Sequence, residues 1–319
     1  MTNICFLDYG TMGSDTDPTP LERFGSLTLY DHTPPEETAS RISGCSIVIS
    51  NKVVLNREVL TRSPGVKLIC VAATGTNNVD IEACRELGIA VTNVAGYSTR
   101  SVAQHTFALL LSLLENMYYY QSYTRSGDWA RNLHFPNLNH SFYEIEGKRW
   151  GIIGLGAIGM RTAQLAQAFG CEVVYYSASG MNHSADYPRM DLPELMQTCD
   201  IVSVHAPLTD RTRSLIDYNH LAMMKPEALV INVGRGGIVN EADMRDALNE
   251  GLLRGFAADV LESNPTNPEC PLLEVRDPSK LVLTPHIAWG SKEARIRLVE
   301  ELERNIASFL DDTRRNRLD

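Results

Sequence analysis

The 319-residue sequence has no block of basic residues and no long hydrophobic run. With 29 Lys and Arg against 39 Asp and Glu, its net charge is −10, which disfavours phosphate backbones and anionic lipids as partners. The longest apolar stretch, 107–114, is interrupted by Ser112 and is much shorter than the roughly 20 residues that span a bilayer. The first ten residues contain no Lys or Arg and so lack the basic n-region with which a signal peptide begins. We therefore expect neither a nucleic-acid partner nor a membrane segment.

Cysteine pairs and clustered metal ligands are missing as well. The seven cysteines are scattered and never spaced as CxxC, and the eight histidines do not cluster. This pattern is typical of reduced thiols in a cytoplasmic protein, and it disfavours both a disulfide framework and a zinc site. We therefore expect a cytoplasmic protein that binds no metal.

What the sequence does contain is a repeated alternation of short β-branched runs and helical segments. Such alternation is typical of a parallel α/β protein. The series from Trp150 to Thr284 is long enough by itself for a complete doubly wound sheet. The predicted strands are Ile4–Leu7, Thr28–Tyr30, Ile47–Ser50, Leu68–Ala72, Ala90–Asn93, Trp150–Ile153, Glu172–Tyr176, Ile201–Val204, Leu229–Asn232, Phe256–Asp259 and Leu281–Thr284.

Two stretches between the strand series are less regular. Ser101–Tyr120 is predicted to be one helix, and its part 107–114 is apolar almost all round. Such a helix must be buried, either inside a domain or in a subunit interface, and both alternatives stay open. The stretch 126–147 mixes Gly, Pro, Asn and aromatic residues without a period, which predicts an ordered loop. The other predicted helices include Asp80–Leu87, Met160–Phe169 and Ser291–Asp311.

A GxGxxG motif at 154–159 follows a predicted strand and opens a predicted helix. The motif alone is a weak signal, and this position between strand and helix strengthens it. Gly154 permits a tight turn, Gly156 lets backbone approach a pyrophosphate, and Gly159 allows close packing of helix against strand. The helix N-terminus then offers free N–H groups to the anion. We therefore predict a dinucleotide site here.

The end of the next strand bears on the choice of dinucleotide. An Asp or Glu at that point would bind the ribose 2′-hydroxyl, but the strand runs into Ser177. A serine cannot make the bidentate contact of a carboxylate, and it does not repel a 2′-phosphate. The nearest polar candidates beyond it are Ser179, His183 and Arg189. The sequence thus indicates NAD or NADP, with dual use or a relaxed preference.

Three polar residues stand at the carboxyl ends of predicted strands in the second series, where doubly wound sheets bind ligands. Arg235 lies in a glycine-rich turn, Asp259 ends its strand, and His286 follows the last strand. An arginine can clamp a carboxylate bidentately, and a histidine can donate a proton as a carbonyl oxygen gains charge. Together with a dinucleotide turn, these groups predict hydride transfer to a 2-keto acid.

These motifs resemble the D-isomer-specific 2-hydroxyacid dehydrogenase family. The resemblance rests on 154–159, the stretch 232–241 with Arg235, Asp259-Val260 and Pro285-His286, and it covers nearly the whole chain. It implies an α/β protein of two Rossmann-like doubly wound domains, with a cofactor domain inserted into a flavodoxin-like substrate domain.

The resemblance also implies where the two domains and their contacts lie. Residues 1–98 and 290–319 would form the substrate-binding domain, and 99–289 the NAD(P)-binding domain. A homodimer would form with helix 101–120 at its interface, and the active site would occupy the cleft between domains. Details in Asn51-Lys52, 73–80 and 286–289 look most like the glycerate dehydrogenase/hydroxypyruvate reductase branch.

The roles of individual residues are implied by the same resemblance. Arg235 would bind substrate, His286 would be the acid/base, and Asp259 would hold the nicotinamide carboxamide. Backbone N–H groups of the loop 74–76 could take the substrate carboxylate alongside Arg235. The implied cofactor-binding residues are Gly154, Gly156, Ala157, Ile158, Gly159, Ser177, His205, Ala206, Pro207, Thr106, Val233, Gly234 and Asp259. The implied substrate-binding residues are Asn51, Lys52, Thr74, Gly75, Thr76, Arg235 and Trp289.

One departure from the family pattern concerns the partner of the catalytic histidine. The family usually places a Glu five residues after the position of Asp259, directly before a Pro, to hydrogen-bond that histidine. Here Asn264 occupies the position. Asn can fix the tautomer of His286 but lacks the charge that stabilises imidazolium. Either Asn264 is a neutral partner of His286, or Glu262 reaches it from a shifted loop, or neither touches it.

The sequence leaves three functions open. The first is an NAD(P)-dependent reductase of hydroxypyruvate, glyoxylate or a similar small 2-keto acid, with the D-2-hydroxy acid as product. The second is a dinucleotide-sensing binding protein like the corepressors that share this fold. The third is a dehydrogenase for a bulkier 2-keto acid. Arg235 and His286 favour an enzyme.

Overall fold

The computed structural model describes residues 2–181, 183–263 and 267–319. By its internal contacts the chain divides into two compact units. The first comprises Met1–Ser98 together with Gly290–Asp319, and the second is Thr99–Trp289. Each is an α/β unit built on its own parallel sheet.

The sheet of the first unit has the flavodoxin-like strand order β2-β1-β3-β4-β5 in the described residues. All of its pairings are parallel, and β3 and β4 are buried along their whole length. Its strands are β1 (Asn3–Phe6), β2 (Ser26–Leu29), β3 (Ile47–Ser50), β4 (Leu68–Val71) and β5 (Ala90–Thr92).

The second unit contains a parallel sheet with the order β11-β10-β9-β8-β6-β7 in the part of the chain that is described. The order reverses at β6, so the turn that follows β6 opens at the switch point where such sheets bind ligands. An isolated parallel bridge between Tyr175 and Arg189 continues the sheet beyond β7, at a position where the sequence predicts no strand. The strands are β6 (Arg149–Ile153), β7 (Glu172–Tyr176), β8 (Ile201–Val204), β9 (Leu229–Asn232), β10 (Gly255–Ala258) and β11 (Leu281–Leu283).

Helices connect the strands, and several of them begin at a side chain that accepts one of their free N–H groups. Asp80 accepts from Ala83, Asn240 from Asp243, and Ser291 from Ala294. The helices are α1 (Thr38–Ile42), α2 (Arg57–Thr61), α3 (Ile81–Leu87), α4 (Thr99–Leu114), α5 (Met117–Arg125), α6 (Asp128–Arg131), α7 (Ala157–Ala168), α8 (Leu192–Thr198), α9 (Tyr218–Ala222), α10 (Glu241–Glu250) and α11 (Lys292–Leu310).

The single helix predicted at 101–120 is wrong. The helix is interrupted between α4 and α5 at Asn116, which has a left-handed backbone with a φ of 51°. Asn adopts this conformation more readily than most residues. A further short helix, α6, lies in the stretch predicted to be a loop.

Helix α4 is buried inside its own unit. Leu110 and Leu113 are almost fully inaccessible, and Phe107 stacks on Phe169 and lies 4.9 Å from Trp150 between ring centroids. Of the two alternatives for this apolar helix, burial in the domain interior accounts for its apolar side chains. The segment that follows α4 carries several strongly exposed apolar side chains, for example Leu133 and Phe135.

Candidate active site

The turn after β6 has the shape that each of its glycines predicts. Gly154 has a φ of 93°, and a Cβ placed on it would lie 2.8 Å from the backbone nitrogen of Ala206. A Cβ on Gly159 would lie 2.2 Å from the carbonyl oxygen of Gly154, so only glycine permits this approach of helix to strand. A Cβ on Gly156, in contrast, would meet no atom within 4 Å. The chain therefore leaves open space directly beside Gly156.

Unpaired N–H groups face this turn. Gly156 precedes the 12-residue helix α7 and makes no side-chain cap hydrogen bond. The N–H groups of Gly156, Ala157 and Ile158 have no hydrogen-bond partner among the described residues. Gly156 and Ala157 are also exposed. Free donors, a helix N-terminus and open space together fit the pyrophosphate of a dinucleotide.

The loops after β8 and β9 pack closely against each other beside this turn. A Cβ on Gly234 would lie 2.8 Å from the carbonyl oxygen of Ala206, and Val233 and Ala206 are both buried. Pro207 is exposed, and its carbonyl oxygen accepts a 2.7 Å hydrogen bond from Thr212. The residues predicted to line the adenosine side thus form the rim of the turn.

His205 is held by a buried hydrogen-bond chain. The Trp150 indole donates to Ser203 Oγ at 2.8 Å, and Ser203 Oγ lies 2.9 Å from His205 Nε2. His205 Nδ1 is buried without a partner among the described residues. Burial lowers the pKa of His205 to about 3, because a second ring proton would have no acceptor and no water. His205 is thus neutral and unsuited to acid catalysis near neutral pH.

At the end of β7, Ser177 is buried and begins a tight turn that Gly180 closes with a 3.0 Å backbone hydrogen bond. The Arg189 guanidinium donates to the Gly180 carbonyl oxygen at 3.2 Å. Within the described residues Arg189 makes no ion pair. Of the three polar candidates beyond Ser177, Ser179 lies in this turn and accepts the N–H of Met181 at 3.2 Å, and Arg189 is bound to the turn through Gly180.

Arg235 lies in a turn that a single amide side chain locks. Asn232, the last residue of β9, accepts the N–H of Gly234 at 3.1 Å and donates to the Arg235 carbonyl oxygen at 2.9 Å. The Arg235 guanidinium donates to the Gly234 carbonyl oxygen at 2.8 Å and is partly exposed. The backbone that presents this cation at the sheet edge is therefore rigid.

His286 has a left-handed backbone with a φ of 57°, a strained conformation for a histidine. Asp259, at the end of β10, holds the peptides that follow it. Its carboxylate accepts the N–H groups of Ile287 and Ala288, both at 2.8 Å. Asp259 is 1% exposed, so its carboxylate is mainly engaged with this loop.

Two further residues complete this arrangement, and sequence reasoning missed both of them. Thr284 Oγ1 donates to Asp259 Oδ1 at 2.6 Å, which uses the only hydroxyl proton. His105 Nε2 lies 3.0 Å from Thr284 Oγ1, so His105 must donate and carries its proton on Nε2. His105 Nε2 is also 3.6 Å from Asp259 Oδ1. For His105, the only signal in the sequence was a single polar ring in a largely apolar helix.

The segment after β10 is held by Glu241, the first residue of α10. The buried Glu241 carboxylate accepts the N–H of Glu262 at 2.6 Å and the thiol of Cys270 at 3.4 Å. The Glu262 side chain is exposed and makes no hydrogen bond or ion pair with His286 among the described residues. Asn264, the predicted neutral partner, lies outside the described residues.

In the first unit, one carboxylate fixes the loop after β3. Asp8, at the end of β1, is 3% exposed and accepts the N–H groups of Asn51 at 2.9 Å, Lys52 at 2.6 Å and Val53 at 3.3 Å. Desolvation raises the pKa of Asp8 in spite of these donors. Lys52 is exposed and lines a crevice of about 670 Å³ that Asp8 and Thr11 also line.

The loop after β4 presents backbone donors. The Thr74 side chain donates to the Val94 carbonyl oxygen at 3.0 Å, and Asn93 donates to the Thr74 carbonyl oxygen at 2.7 Å. The N–H groups of Gly75 and Thr76 have no partner among the described residues. The loop is therefore anchored while two of its donors stay available to an anion.

The remaining predicted residues are less open. Thr106 is fully buried, and its hydroxyl donates to the Val102 carbonyl oxygen at 2.8 Å. Trp289 is partly buried against the core that contains Ala288.

In the described residues, no cluster of His, Cys, Asp and Glu has a metal-binding arrangement, and all seven cysteines are free thiols. The described helices include none with the length and apolarity to cross a membrane.

Comparisons with known proteins show which family the chain resembles along its length. The family described as D-isomer specific 2-hydroxyacid dehydrogenase, NAD binding domain, matches residues 107–288. A hydroxypyruvate reductase of Blautia hydrogenotrophica is 35% identical over 93% of this chain and 92% of that protein. A glycerate dehydrogenase of Methylorubrum extorquens is 35% identical over 86% of each. A solved acyclic imino acid reductase, in complex with NADPH and D-Arg, matches with a TM-score of 0.88 and 27% identity over the full length of both chains.

Proposed function

Because this chain belongs to the D-isomer-specific 2-hydroxyacid dehydrogenase family and is an NAD(P)-dependent oxidoreductase, we propose that it interconverts a small 2-keto acid and its D-2-hydroxy acid. The observation that carries the proposal is the pair Arg235 and His286 at the carboxyl ends of β9 and β11. The turn of Arg235 contains a buried hydrogen bond from the Gly234 N–H to Asn232, and the loop after His286 contains one from the Ala288 N–H to Asp259. The names of the relatives favour hydroxypyruvate or glyoxylate as substrate.

The two residues have complementary tasks in this proposal. Arg235 binds the substrate carboxylate through paired N–H groups and draws electron density from the adjacent carbonyl. His286 donates a proton to the carbonyl oxygen during reduction and takes it back during oxidation. A bound reduced nicotinamide supplies the hydride. In the neutral-partner interpretation, Asn264 orients the His286 ring without adding charge.

The dinucleotide is proposed to bind at the turn 154–159, along the rim formed by His205-Ala206-Pro207 and Val233-Gly234. For its ribose, the described residues at the end of β7 present Ser177 in place of a carboxylate. Ser177 carries no charge that would repel a 2′-phosphate, and Arg189 is anchored on the same turn. We propose that both NAD and NADP are used.

The substrate is proposed to contact two loops of the first unit in addition. The free N–H groups of Gly75 and Thr76 are suited to a carboxylate oxygen, and Asn51 and Lys52 lie in the loop that Asp8 fixes. Trp289 is a further proposed contact. Thr106 contributes at most an acceptor, since its hydroxyl proton is already donated.

We also propose that the protein is a cytoplasmic homodimer. The support is the exposed apolar surface of the segment after α4, where Tyr118 is 75% exposed, Leu133 96% and Phe135 86%. Burying such side chains against a second copy would remove apolar area from water. The expected result of light scattering is a mass of two chains, and a monomer at micromolar concentration would contradict it.

The test of the function is a spectrophotometric assay of small and bulkier 2-keto acids with NADH and NADPH in parallel. Reduction of hydroxypyruvate or glyoxylate supports the proposal, whereas turnover of bulky acids alone supports the bulkier-substrate alternative. His286→Ala then separates enzyme from sensor. In an enzyme, turnover falls on the order of 10²–10⁴ while dinucleotide binding is retained. A wild type that binds dinucleotide and reduces none of the acids would support a sensor.

A further inference from the structure

The amide side chain of Asn51 is held in one orientation by a neighbouring turn. Asn51 is 3% exposed, and its backbone N–H donates to Asp8 Oδ1 at 2.9 Å. Its side-chain nitrogen Nδ2 lies 3.0 Å from Thr11 Oγ1. Asp8 and Thr11 belong to one 3₁₀ turn after β1, so a single short element holds both the backbone and the side chain of Asn51.

Hydrogen-bond chemistry fixes which end of this amide faces Thr11. The Thr11 hydroxyl has one proton, and it donates that proton to the Asp8 carbonyl oxygen at 2.7 Å, an atom that can only accept. Thr11 must therefore accept from Asn51, and only the NH₂ group of an amide donates. The Asn51 amide oxygen is thus directed away from Thr11.

This amide oxygen has no donor within the part of the chain that the structure describes. The oxygen is not among the buried unpaired side-chain atoms of the described residues, so it is accessible to solvent and to a ligand. A ligand that covers it must replace the lost water with a donor, because a carbonyl oxygen buried without a partner costs about 1–3 kcal/mol. A ligand without such a donor leaves the oxygen unpaired and binds more weakly. The residue therefore discriminates between ligands by their hydrogen-bond donors.

We propose that Asn51 makes this enzyme selective for 2-keto acids that carry a hydroxyl group on C3, by accepting a hydrogen bond from that hydroxyl. This inference rests on the proposed function, which assigns Asn51 to the substrate. A small 2-keto acid is an anion whose carboxylate and carbonyl only accept, so a C3 hydroxyl is the donor that it can offer. Thr11 and Asp8 act through Asn51 as positioning residues.

Hydroxypyruvate and pyruvate form a matched substrate pair, because they differ only by the C3 hydroxyl. For the wild type we expect kcat/KM for hydroxypyruvate to exceed that for pyruvate by on the order of 10² or more. Thr11→Val keeps the shape of the side chain but removes the acceptor for Asn51 Nδ2, so the amide can rotate. We expect it to lower this ratio on the order of tenfold or more through a higher KM for hydroxypyruvate, with pyruvate kinetics unchanged.

Two variants complete the test. Thr11→Ser retains the hydroxyl and should restore the wild-type ratio, which a role of Thr11 in stability alone does not predict. Asn51→Ala should abolish the discrimination between hydroxypyruvate and pyruvate. Because Asn51 is buried, this substitution could unfold the protein; Thr11 is exposed, so the Thr11 variants remain informative in that case. A wild-type ratio near one, or equal losses for both substrates in Thr11→Val, overturns the inference and leaves the proposed function intact. If no 2-keto acid is reduced with either dinucleotide, both fail.

Discussion

Asp259 accepts the backbone N–H of Ala288 at 2.8 Å, and this contact ties the end of β10 to the loop that presents His286. A second contact, from the N–H of Ile287, engages the other carboxylate oxygen. A left-handed backbone at a histidine costs of order 1–3 kcal/mol and persists only where the surrounding structure imposes it. The two residues directly after His286 donate these two hydrogen bonds, which hold that backbone in place. Asp259 is thus a positioning residue for His286, whatever it contributes to the nicotinamide.

Asp259→Asn tests this role. The amide nitrogen would replace one acceptor and face a buried donor, so we expect the free energy of unfolding to fall by about 1–3 kcal/mol. We further expect kcat to fall while the Kd for NADH changes little, as measured by nucleotide fluorescence. Thr284→Val, which leaves the Asp259 carboxylate in place and removes the hydroxyl that donates to Asp259 and accepts from His105, is the milder control. A raised Kd with unchanged kcat would instead assign Asp259 to the nicotinamide carboxamide.

The glycines of the turn after β6 allow a matched comparison. A Cβ at Gly156 meets open space, so Gly156→Ala should fold with nearly unchanged stability yet weaken dinucleotide binding on the order of tenfold, because the methyl group occupies the approach of the ligand. Gly159→Ala brings a Cβ against the Gly154 carbonyl oxygen and should cost about 1–3 kcal/mol of stability. Calorimetry for binding and urea denaturation for stability separate the two effects. Equal stability losses in both variants would contradict the assignment of Gly156 to the ligand.

The desolvated imidazole of His205 predicts a pH dependence of stability. Its folded-state pKa of about 3 lies below the unfolded value of about 6.5, so the unfolded chain binds an extra proton between these values. The associated stability is complete above pH 6.5 and falls by about 1.4 kcal/mol per pH unit as the pH drops toward 3. His205→Gln should flatten this part of the stability profile, with exposed His32→Gln as the control. A His205 proton resonance that titrates near pH 6.5 would refute the prediction.

The identity of the residue at position 264 should set the alkaline limb of 2-keto acid reduction. In the neutral-partner interpretation, Asn264 itself contributes no charge that stabilises imidazolium, and Asn264→Glu adds one. We therefore expect the upper pKa of the kcat profile to move to higher pH in Asn264→Glu. The matched control is Glu262→Gln, at an exposed side chain that does not contact His286 in the described residues. An unmoved limb in Asn264→Glu would count against Asn264 as the partner of His286.

Most of the fold follows from short-range patterns in the sequence. The bounds of four strands, among them β3 and β9, agree residue for residue with the prediction, because buried parallel strands are continuous apolar runs between turn residues. The break at Asn116 escaped prediction, since a single left-handed asparagine interrupts a helix without changing its apolar pattern. The rudimentary strand at Arg189 consists of one bridge and has no pattern to detect.

The amino-acid sequence by itself determined which chemical groups stand at the ends of the strands, because strand, turn and glycine signals are local: the turn 154–159, Arg235 and His286 are visible in the chain. Only the tertiary structure decided what holds these groups. Asp259 binds Ala288, 29 positions further along the chain, and His105 lies against Thr284, 179 positions further along. Asn51 is held by Asp8 and Thr11, which precede it by 43 and 40 positions. Such pairings follow from the order of strands in a sheet, which no local pattern of residues contains.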